Sequence, residues 1–336
     1  MTPMNKLSRK PKIIVIVGPT ATGKTELAIK LAKKFRGEIV SADSRQVYRS
    51  MNIGTDKPFD PAQGKPKKIK SAIIIRGIPH HLIDVVEPDE EFTLEHWLEL
   101  AQEAIEDIER RGRLPIVVGG TGLYISSLIY GFNLPHVAAN PKLRKRLEDE
   151  IKKRGTEPLA KRILKKDPQA AVFLDTKNPR RLIRAWEVMN ATKQKFSVLR
   201  QKTAEPKYDF LILGLSLPKD ILRQKISRRL KNQFRRGLKI EVKFLVKKYG
   251  WNLPSLDTLG YSQWKQYIDK KIDKKIEGEI HAQILKDTLN YSKRQMTWFN
   301  RLTATKWLVS KNKKQLYQKA VIYTKDFLSN QNRQIS

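Results

Sequence analysis

The stretch GPTATGKT, residues 18–25, has the residue types and spacing of a loop that binds phosphate. Gly18 is followed, after four residues, by Gly23, Lys24 and Thr25. Glycines let backbone N–H groups face an anion, the lysine adds positive charge, and the threonine hydroxyl can ligate Mg²⁺. The sequence therefore predicts a site for a diphosphate or a nucleotide, with Thr25 as the metal ligand. The predicted contacts are Gly18, Pro19, Thr20, Ala21, Thr22, Gly23, Lys24 and Thr25.

A carboxylate and a hydroxyl that can act on such a ligand follow two other apolar runs. NTPases with this loop place an aspartate at the end of another strand to help hold magnesium, but the run IVVGGTG ends in glycines and Thr121. Asp43 instead follows the run EIVSA. Three roles are open for Asp43: magnesium ligand, general base or helix cap. The glycines before Thr121 let the backbone approach a ligand, to which the threonine hydroxyl can hydrogen-bond.

Composition excludes several kinds of site. The chain has no cysteine, so it has no structural disulfide and no Cys-based zinc site. His80 and His81 lack clustered carboxylates at ligand spacing, which favours a structural pair over a metal site. The apolar run 13–17 is too short for a signal peptide or a membrane span. We expect a cytoplasmic protein that does not contact a membrane.

Charge is distributed unevenly along the chain. Its 336 residues carry 68 Lys and Arg against 34 Asp and Glu, a net charge of +34. Residues 1–140 contain 20 basic and 16 acidic residues, and the remainder contains 48 and 18. A general bias toward lysine would have raised both parts alike. The asymmetry therefore indicates that the later part of the chain binds a polyanion such as nucleic acid.

The elements that carry these residues are predicted from alternating patterns. IIVIV, GEIVSADS and LPIVVGG are predicted as buried strands. An acidic helix lies between the last two, with Thr93 as its N-cap and Gly112 at its end. The stretch YDFLILGLSLP, residues 208–218, returns to strand character. We therefore predict an α/β fold, a P-loop NTPase-like parallel sheet flanked by helices, with a helical insertion domain.

The domain boundaries follow a change to basic helical patterns. The core domain is predicted over residues 1–133 and 206–336, and the basic helical insertion over residues 134–205. Asn178 and Pro179 form an N-cap and first-turn pair at the start of the helix NPRRLIRAW. Acidic partners four residues away are scarce on this helix and on ILRQKISRRLKNQFRRG. Their arginines are therefore expected to contact phosphates.

Seven stretches, taken together, resemble the tRNA dimethylallyltransferase family. They occur in order and with suitable gaps from about Ile13 to Phe299: GPTATGKT, SADSRQVYRSMNIGTDKP, PHHLID, GGTGLY, NPRRLIRAWEV, LGYSQ and YSKRQMTWF. The resemblance implies transfer of a dimethylallyl group from dimethylallyl diphosphate to the exocyclic amine of the adenosine just 3′ of the anticodon, with release of diphosphate. It also implies Mg²⁺ as cofactor and the tRNA anticodon stem-loop as partner. The lack of cysteine excludes the C-terminal zinc finger of eukaryotic members and favours a bacterial-type enzyme.

The resemblance also implies roles for individual residues. Asp43 matches the general base, and Lys24, Thr121 and Arg229 complete the catalytic group, with Arg229 as a further diphosphate clamp. The tRNA contacts that it implies are Asp43, Ser44, Arg45, Gln46, Thr121, Arg144, Lys177, Asn178, Pro179, Arg180 and Arg181. Asp257 and Thr258 depart from the family pattern, so a phosphate contact is not assigned to them.

Three other functions remain to be distinguished. A P-loop kinase or NTPase would consume nucleotide and ignore RNA, but the sequence lacks a clear aspartate for its magnesium. An isopentenyltransferase that acts on free AMP or ADP would not need a long basic insertion. A basic RNA-binding protein with a vestigial phosphate loop would not need Lys24, Thr25 and Asp43 together. We expect a monomeric enzyme of the resembled family.

The charge asymmetry predicts that tRNA binding is strongly salt-dependent. Each phosphate contact releases counterions, so raising the salt from about 50 mM to about 200 mM should weaken binding by about tenfold or more. Filter binding of an unmodified tRNA across this range measures the effect. An affinity that does not change with salt would contradict a basic RNA-binding surface.

Overall fold

The computed structural model describes residues 10–58, 67–69, 72–131, 137, 140–199, 206–267, 272–309 and 312–330. The chain divides into two compact units. The larger unit comprises Met1–Ile129 and Lys207–Ser336, and the smaller one comprises Tyr130–Pro206. The insertion predicted over 134–205 occupies nearly the same residues as the smaller unit, and its contact with tRNA stays a prediction.

The described residues of the larger unit form an eight-stranded sheet. Its strands are β1 Lys12–Val17, β2 Gly37–Ser41, β3 Lys67–Ile69, β4 Ala72–Ile75, β5 Ile78–His81, β6 Leu114–Val118, β7 Asp209–Ser216 and β8 Lys306–Val309. Their order across the sheet is β3-β4-β5-β2-β6-β1-β7-β8. From β5 to β8 all neighbours run parallel, so the carboxyl ends of β1, β2 and β6 lie at one edge.

The predicted fold class is confirmed, with an antiparallel edge added to the sheet. Strand β4 runs antiparallel to both β3 and β5. Arg76 and Gly77 connect β4 to β5 and both have positive φ, 53° and 79°. Two central residues with positive φ form the tight turn that suits the twist of a hairpin. The chain therefore reverses here without a crossover helix.

Helices cover the sheet in the larger unit and build the smaller unit. In chain order they are α1 Lys24–Phe35, α2 Leu94–Arg110, α3 Gly122–Tyr130, α4 Pro141–Arg154, α5 Glu157–Lys166, α6 Pro179–Thr192, α7 Phe196–Leu199, α8 Lys219–Arg235, α9 Leu238–Tyr249, α10 Lys274–Phe299 and α11 Lys313–Ser329. Short 3₁₀ helices span Pro168–Val172 and Ser262–Tyr267. Within the described ranges, no helix is both long enough and apolar enough to cross a membrane.

Two helix starts are where the sequence predicts them. The Thr93 hydroxyl accepts a hydrogen bond from the backbone N–H of His96 at the start of α2, at 3.3 Å. The Asn178 side chain accepts one from the backbone N–H of Arg181 at the start of α6, at 3.2 Å. Each cap satisfies an N–H group that has no partner inside its helix.

Apolar packing fixes the central strands. All five residues from Ile13 to Val17 are fully buried. One face of α1, which includes Leu27 and Leu31, packs in the same core cluster as β1, β2 and β6. A second cluster surrounds Tyr261 and Trp264 and includes residues of α8, α9 and α10. The smaller unit has its own core of residues from α4, α5 and α6.

The two histidines of β5 are buried, and each ring has a hydrogen-bond neighbour inside the larger unit. The Nε2 atom of His81 lies 2.8 Å from Oε2 of the buried Glu38, and Nδ1 of His80 lies 2.9 Å from the Ile78 carbonyl oxygen. Burial lowers the pKa of His80 to about 4, so this imidazole is neutral at physiological pH. In the part of the chain that the structure describes, no group of three or more His, Cys, Asp or Glu could hold a metal ion.

Candidate active site

A cavity of about 960 Å³ opens at the carboxyl edge of the parallel strands in the larger unit. Residues of the turn after β2, the glycines after β6 and the helices α8 and α10 line it. So do five of the eight phosphate-loop residues: Thr20, Ala21, Gly23, Lys24 and Thr25. Open α/β sheets bind their ligands at this edge, where strand ends and helix starts converge. The cavity is therefore the candidate active site.

The loop after β1 has the backbone geometry that its glycines predict. Gly18 has φ of 140°, and a Cβ on it would lie 2.4 Å from the Leu215 carbonyl oxygen. Gly23 has φ of 98° and directly precedes the first residue of α1. The Thr22 hydroxyl donates to the Pro19 carbonyl oxygen at 2.8 Å, which closes the loop on itself. The start of α1 thus presents backbone N–H groups to the cavity, as an anion site requires.

Lys24 supplies a positive charge whose protonation is sensitive to its surroundings. The residue is half-buried, and its ammonium group donates to the Pro19 carbonyl oxygen at 2.8 Å. Burial lowers the pKa of Lys24 to about 8; the charge of Asp43 opposes this effect, and that of Arg229 adds to it. An anion in the cavity would favour the charged form of Lys24.

Arg229 reaches the phosphate loop from α8. Its Nη1 donates to the Thr20 hydroxyl at 2.6 Å, and its Nε lies 3.3 Å from a carboxylate oxygen of Asp56. Arg236, two turns further along the chain, lies 4.0 Å from the other oxygen of Asp56. The carboxylate of Asp56 is thus close to both arginines of this wall of the cavity. The sequence analysis did not identify Asp56.

Glu241 fixes the turn that carries Asp56. Its carboxylate accepts hydrogen bonds from the successive backbone N–H groups of residues 52–54, at 2.8 to 3.0 Å. The Tyr261 hydroxyl donates to the same carboxylate at 2.7 Å. The Tyr261 ring packs on Gly54, where a Cβ would lie 2.5 Å from the ring. A carboxylate that accepts four hydrogen bonds, three of them from the backbone of the turn, holds the turn in one conformation.

Asp43 and Thr121 meet where β2 and β6 end. The Thr121 hydroxyl accepts a hydrogen bond from the backbone N–H of Ser44 at 3.0 Å, and the Thr121 N–H donates to the Ala42 carbonyl oxygen at 3.2 Å. One carboxylate oxygen of Asp43 accepts from the Arg45 N–H at 2.9 Å. Asp43 therefore caps a turn and not a helix, and it also lines the cavity.

The neighbours of Asp43 that the sequence assigned to tRNA line the same cavity. Ser44, Arg45 and Gln46 follow Asp43 in one turn. An Nη1 atom of Arg45 donates to the Pro254 carbonyl oxygen at 3.3 Å, and the Gln46 side chain accepts from the Ser41 hydroxyl at 3.2 Å. These bonds hold the turn against the wall of the cavity. Contact with RNA stays a prediction for each of them.

The donor set fits a magnesium ion that is shared with a phosphate ligand. Thr25 lines the cavity together with Asp43, so a hydroxyl and a carboxylate are offered there. Mg²⁺ takes oxygen ligands and commonly uses only one or two from the protein, with phosphate oxygens and water in the other positions. A site with two protein ligands is therefore compatible with this metal, and Asp56, which also lines the cavity, is paired with Arg229 and Arg236.

In the smaller unit, two of the predicted tRNA-binding arginines, Arg144 and Arg181, have carboxylate neighbours. Arg144 donates from Nε and Nη2 to the two oxygens of the buried Glu187, at 3.0 and 2.8 Å. Lys177 and Arg180 are exposed at the start of α6. Arg181 is exposed as well, 3.9 Å from Asp175. Arg144 lies on α4, outside the two helices for which few acidic partners were expected. On α6, Arg184 pairs with the same Glu187 at 3.0 Å.

Gln295 and Asp56 are site residues that sequence reasoning missed. Both lie in stretches that carried the resemblance, TDKP and YSKRQMTWF, yet neither pattern assigned them a role. Asp56 pairs with Arg229 and Arg236. Gln295 forms hydrogen bonds to the backbone of the phosphate loop and to the backbone of the segment after β6. Such partners lie far away in sequence, so only the fold reveals them.

The chain is similar to known proteins over most of its length. A family model described as IPP transferase matches residues 46–302, and one described as isopentenyl transferase matches residues 11–71. A tRNA dimethylallyltransferase of Roseiflexus sp. strain RS-1 is 43% identical over 291 residues, which cover 86% of this chain and 90% of that protein. That of Acetivibrio thermocellus is 39% identical over 299 residues, 88% of this chain and 91% of that one.

Solved structures with the same fold agree with these relatives. The tRNA isopentenylpyrophosphate transferase from Bacillus halodurans has a TM-score of 0.66 and 33% identity, covering 95% of this chain and 98% of that chain. A eukaryotic dimethylallyltransferase acting on tRNA has a TM-score of 0.76 and 28% identity, covering 95% of this chain and 80% of that chain.

The pKa of Lys24 predicts how anion binding depends on pH. With a pKa of about 8, the charged fraction of Lys24 in the ligand-free protein falls about tenfold between about pH 7 and about pH 9. Affinity for inorganic diphosphate, measured by calorimetry with Mg²⁺, should therefore fall as the pH rises. The ratio of this affinity to that of Lys24→Met cancels the ionisation of the ligand. A ratio that stays constant over the range would show that Lys24 does not contribute its charge.

Proposed function

Because this chain belongs to the IPP transferase family, we propose that it transfers a dimethylallyl group from dimethylallyl diphosphate to tRNA. The curated relatives are tRNA dimethylallyltransferases, so the chain is a transferase that modifies tRNA. The acceptor is the exocyclic amine of the adenosine just 3′ of the anticodon. The observation that carries the proposal is that a phosphate loop and a carboxylate line a single cavity.

The diphosphate of the donor binds at the phosphate loop. Backbone N–H groups at the start of α1, the Lys24 ammonium and the Arg229 guanidinium surround the space where it lies. Thr25 would hold a Mg²⁺ ion together with the diphosphate, and the ion would supply further neutralisation of the leaving group. Diphosphate is a leaving group here, so no hydrolytic water has to be activated.

The acceptor amine is a weak nucleophile because its lone pair is delocalised into the adenine ring. The allylic C–O bond breaks and its electron pair leaves with diphosphate, while the amine nitrogen forms the new bond to carbon. The proton of that nitrogen passes to a carboxylate oxygen of Asp43. The base must leave the stack of the anticodon loop to reach the cavity. Thr121 holds the Ser44 N–H and so keeps the turn of Asp43 in place.

Each unit offers residues of its own for contact with RNA. In the larger unit, residues 43–46 line the cavity where the flipped base enters. In the smaller unit, the exposed start of α6 and the basic side chains of α4 provide phosphate contacts. We further propose that the enzyme acts as a monomer in the cytoplasm.

The choice of acceptor tests the function. Purified protein with Mg²⁺ and radiolabelled dimethylallyl diphosphate should label unmodified tRNA. It should not label AMP, or a tRNA in which guanosine replaces the adenosine next to the anticodon. Label in AMP alone would identify a mononucleotide prenyltransferase. ATP or GTP consumption without any need for the prenyl donor would instead identify a kinase or NTPase.

Replacing Asp43 tests the general base. Asp43→Asn keeps the shape and the acceptor for the Arg45 N–H, but it cannot take a proton at neutral pH. Single-turnover transfer should slow by about two to four orders of magnitude, while tRNA affinity changes by about twofold or less. Asp287→Asn is the matched control: Asp287 also lines the cavity, where it accepts from Gln263. Equal rates for the Asp43 variant and the wild type would remove Asp43 from this role.

A further inference from the structure

Gln295 bonds to both loops that form the candidate active site. It lies on α10 and is only 5% exposed. Its Oε1 accepts from the backbone N–H of Thr20 in the phosphate loop, at 2.9 Å. Its Nε2 donates to the carbonyl oxygen of Gly120, in the segment that follows β6, also at 2.9 Å. One planar group therefore spans two walls of the cavity.

Each of these contacts continues to a residue that acts on substrate. The Thr20 hydroxyl accepts from Arg229 at 2.6 Å. Next to Gly120, the Thr121 hydroxyl accepts from the Ser44 N–H at 3.0 Å, directly beside Asp43. Hydrogen bonds and the short stretches of backbone between them thus link the diphosphate clamp to the segment of the general base.

The position requires an amide. The Thr20 N–H needs an acceptor and the Gly120 carbonyl needs a donor, and an amide offers both on one group, whereas a carboxylate or an apolar side chain does not. The Gly120 residue leaves room for it: a Cβ there would lie 2.4 Å from Nε2 of Gln295. The Tyr291 hydroxyl, one turn earlier on α10, also interacts with this amide.

We propose that Gln295 is a positioning residue that sets the separation between the leaving-group loop and the segment of the general base. This inference rests on the proposed prenyl transfer. The Thr20 N–H is committed to Gln295, so Thr20 shapes the loop and is not itself a backbone donor to phosphate. Holding both reacting groups in place before substrate enters lowers the entropic part of the barrier.

Two variants break the link from opposite sides. Gln295→Met keeps the length of the side chain and removes both hydrogen bonds. Gly120→Ala leaves Gln295 intact, but the added Cβ displaces its amide; only the end of a flexible side chain has to move, so the protein still folds. The matched controls are Gln283→Met on the same helix and Gly278→Ala. The Gln283 side chain is exposed and its amide bonds to Asp287. A Cβ on Gly278 would meet nothing within 4 Å.

Three measurements on the full chain distinguish positioning from a purely structural role. In both test variants, affinity for inorganic diphosphate with Mg²⁺ should fall about tenfold, the cost of a buried hydrogen bond. For transfer to tRNA, kcat should fall and KM for dimethylallyl diphosphate should rise, each by about tenfold. Exchange of the Thr20 amide hydrogen should accelerate. The control variants should stay within about twofold of the wild type in all three.

Two results would overturn the inference. A purely structural role would lower kcat in proportion to the folded fraction and leave KM and diphosphate affinity unchanged. An unchanged Thr20 exchange rate in both variants would show that the hydrogen bond does not hold the loop. If Gln295→Met does not fold, Gly120→Ala decides alone. A wild-type protein that binds no diphosphate would instead overturn the proposed function, and the positioning role with it.

Discussion

The site depends on keeping Lys24, Arg229 and the carboxylate of Asp43 in one cavity without ion pairs between Asp43 and either cation. The cations must stay available to a diphosphate, and the carboxylate must stay available to a proton. The Lys24 ammonium is satisfied by the Pro19 carbonyl oxygen, and Arg229 by Asp56. Among the described residues, no basic side chain forms an ion pair with Asp43. The charges of Lys24 and Asp43 still interact, which keeps the pKa of Lys24 from falling further.

The register of the sheet supplies the separation that this arrangement needs. Strand β6 lies between β1 and β2, and its Val118 pairs with Ile16 on one side and Ser41 on the other. The phosphate loop and the segment of Asp43 thus leave the sheet two strand spacings apart, roughly 10 Å. That distance leaves space for a reacting carbon between a leaving oxygen and a base. Gly119 allows the segment after β6 to lie close to the segment after β2, since a Cβ there would lie 2.0 Å from the Ala42 carbonyl oxygen.

Much of this structure could be predicted from residues that lie close together in sequence. Contacts between residues that are distant in sequence could not be predicted. The phosphate loop, the buried strands and the caps at Thr93 and Asn178 each depend on residues within a few positions of one another. The hairpin edge at Arg76 was missed because arginine rarely signals a turn with positive φ. Asp56 and Gln295 were missed for another reason. Their partners lie more than 170 residues away in sequence, and no periodicity marks such a pairing.

In the smaller unit, a count of charged residues does not reveal which arginines are already paired within the protein. Burial alone would raise the pKa of Glu187, but hydrogen bonds from Arg144, the Asn140 N–H and Arg184 outweigh it and lower the pKa. Arg144 therefore ties α4 to α6 before it can contact any RNA. Such pairing leaves the net charge unchanged, because the carboxylate is already counted, so long-range attraction of a polyanion persists. The predicted contacts with RNA phosphates therefore depend more on exposed side chains at the start of α6, such as Lys177, than on Arg144.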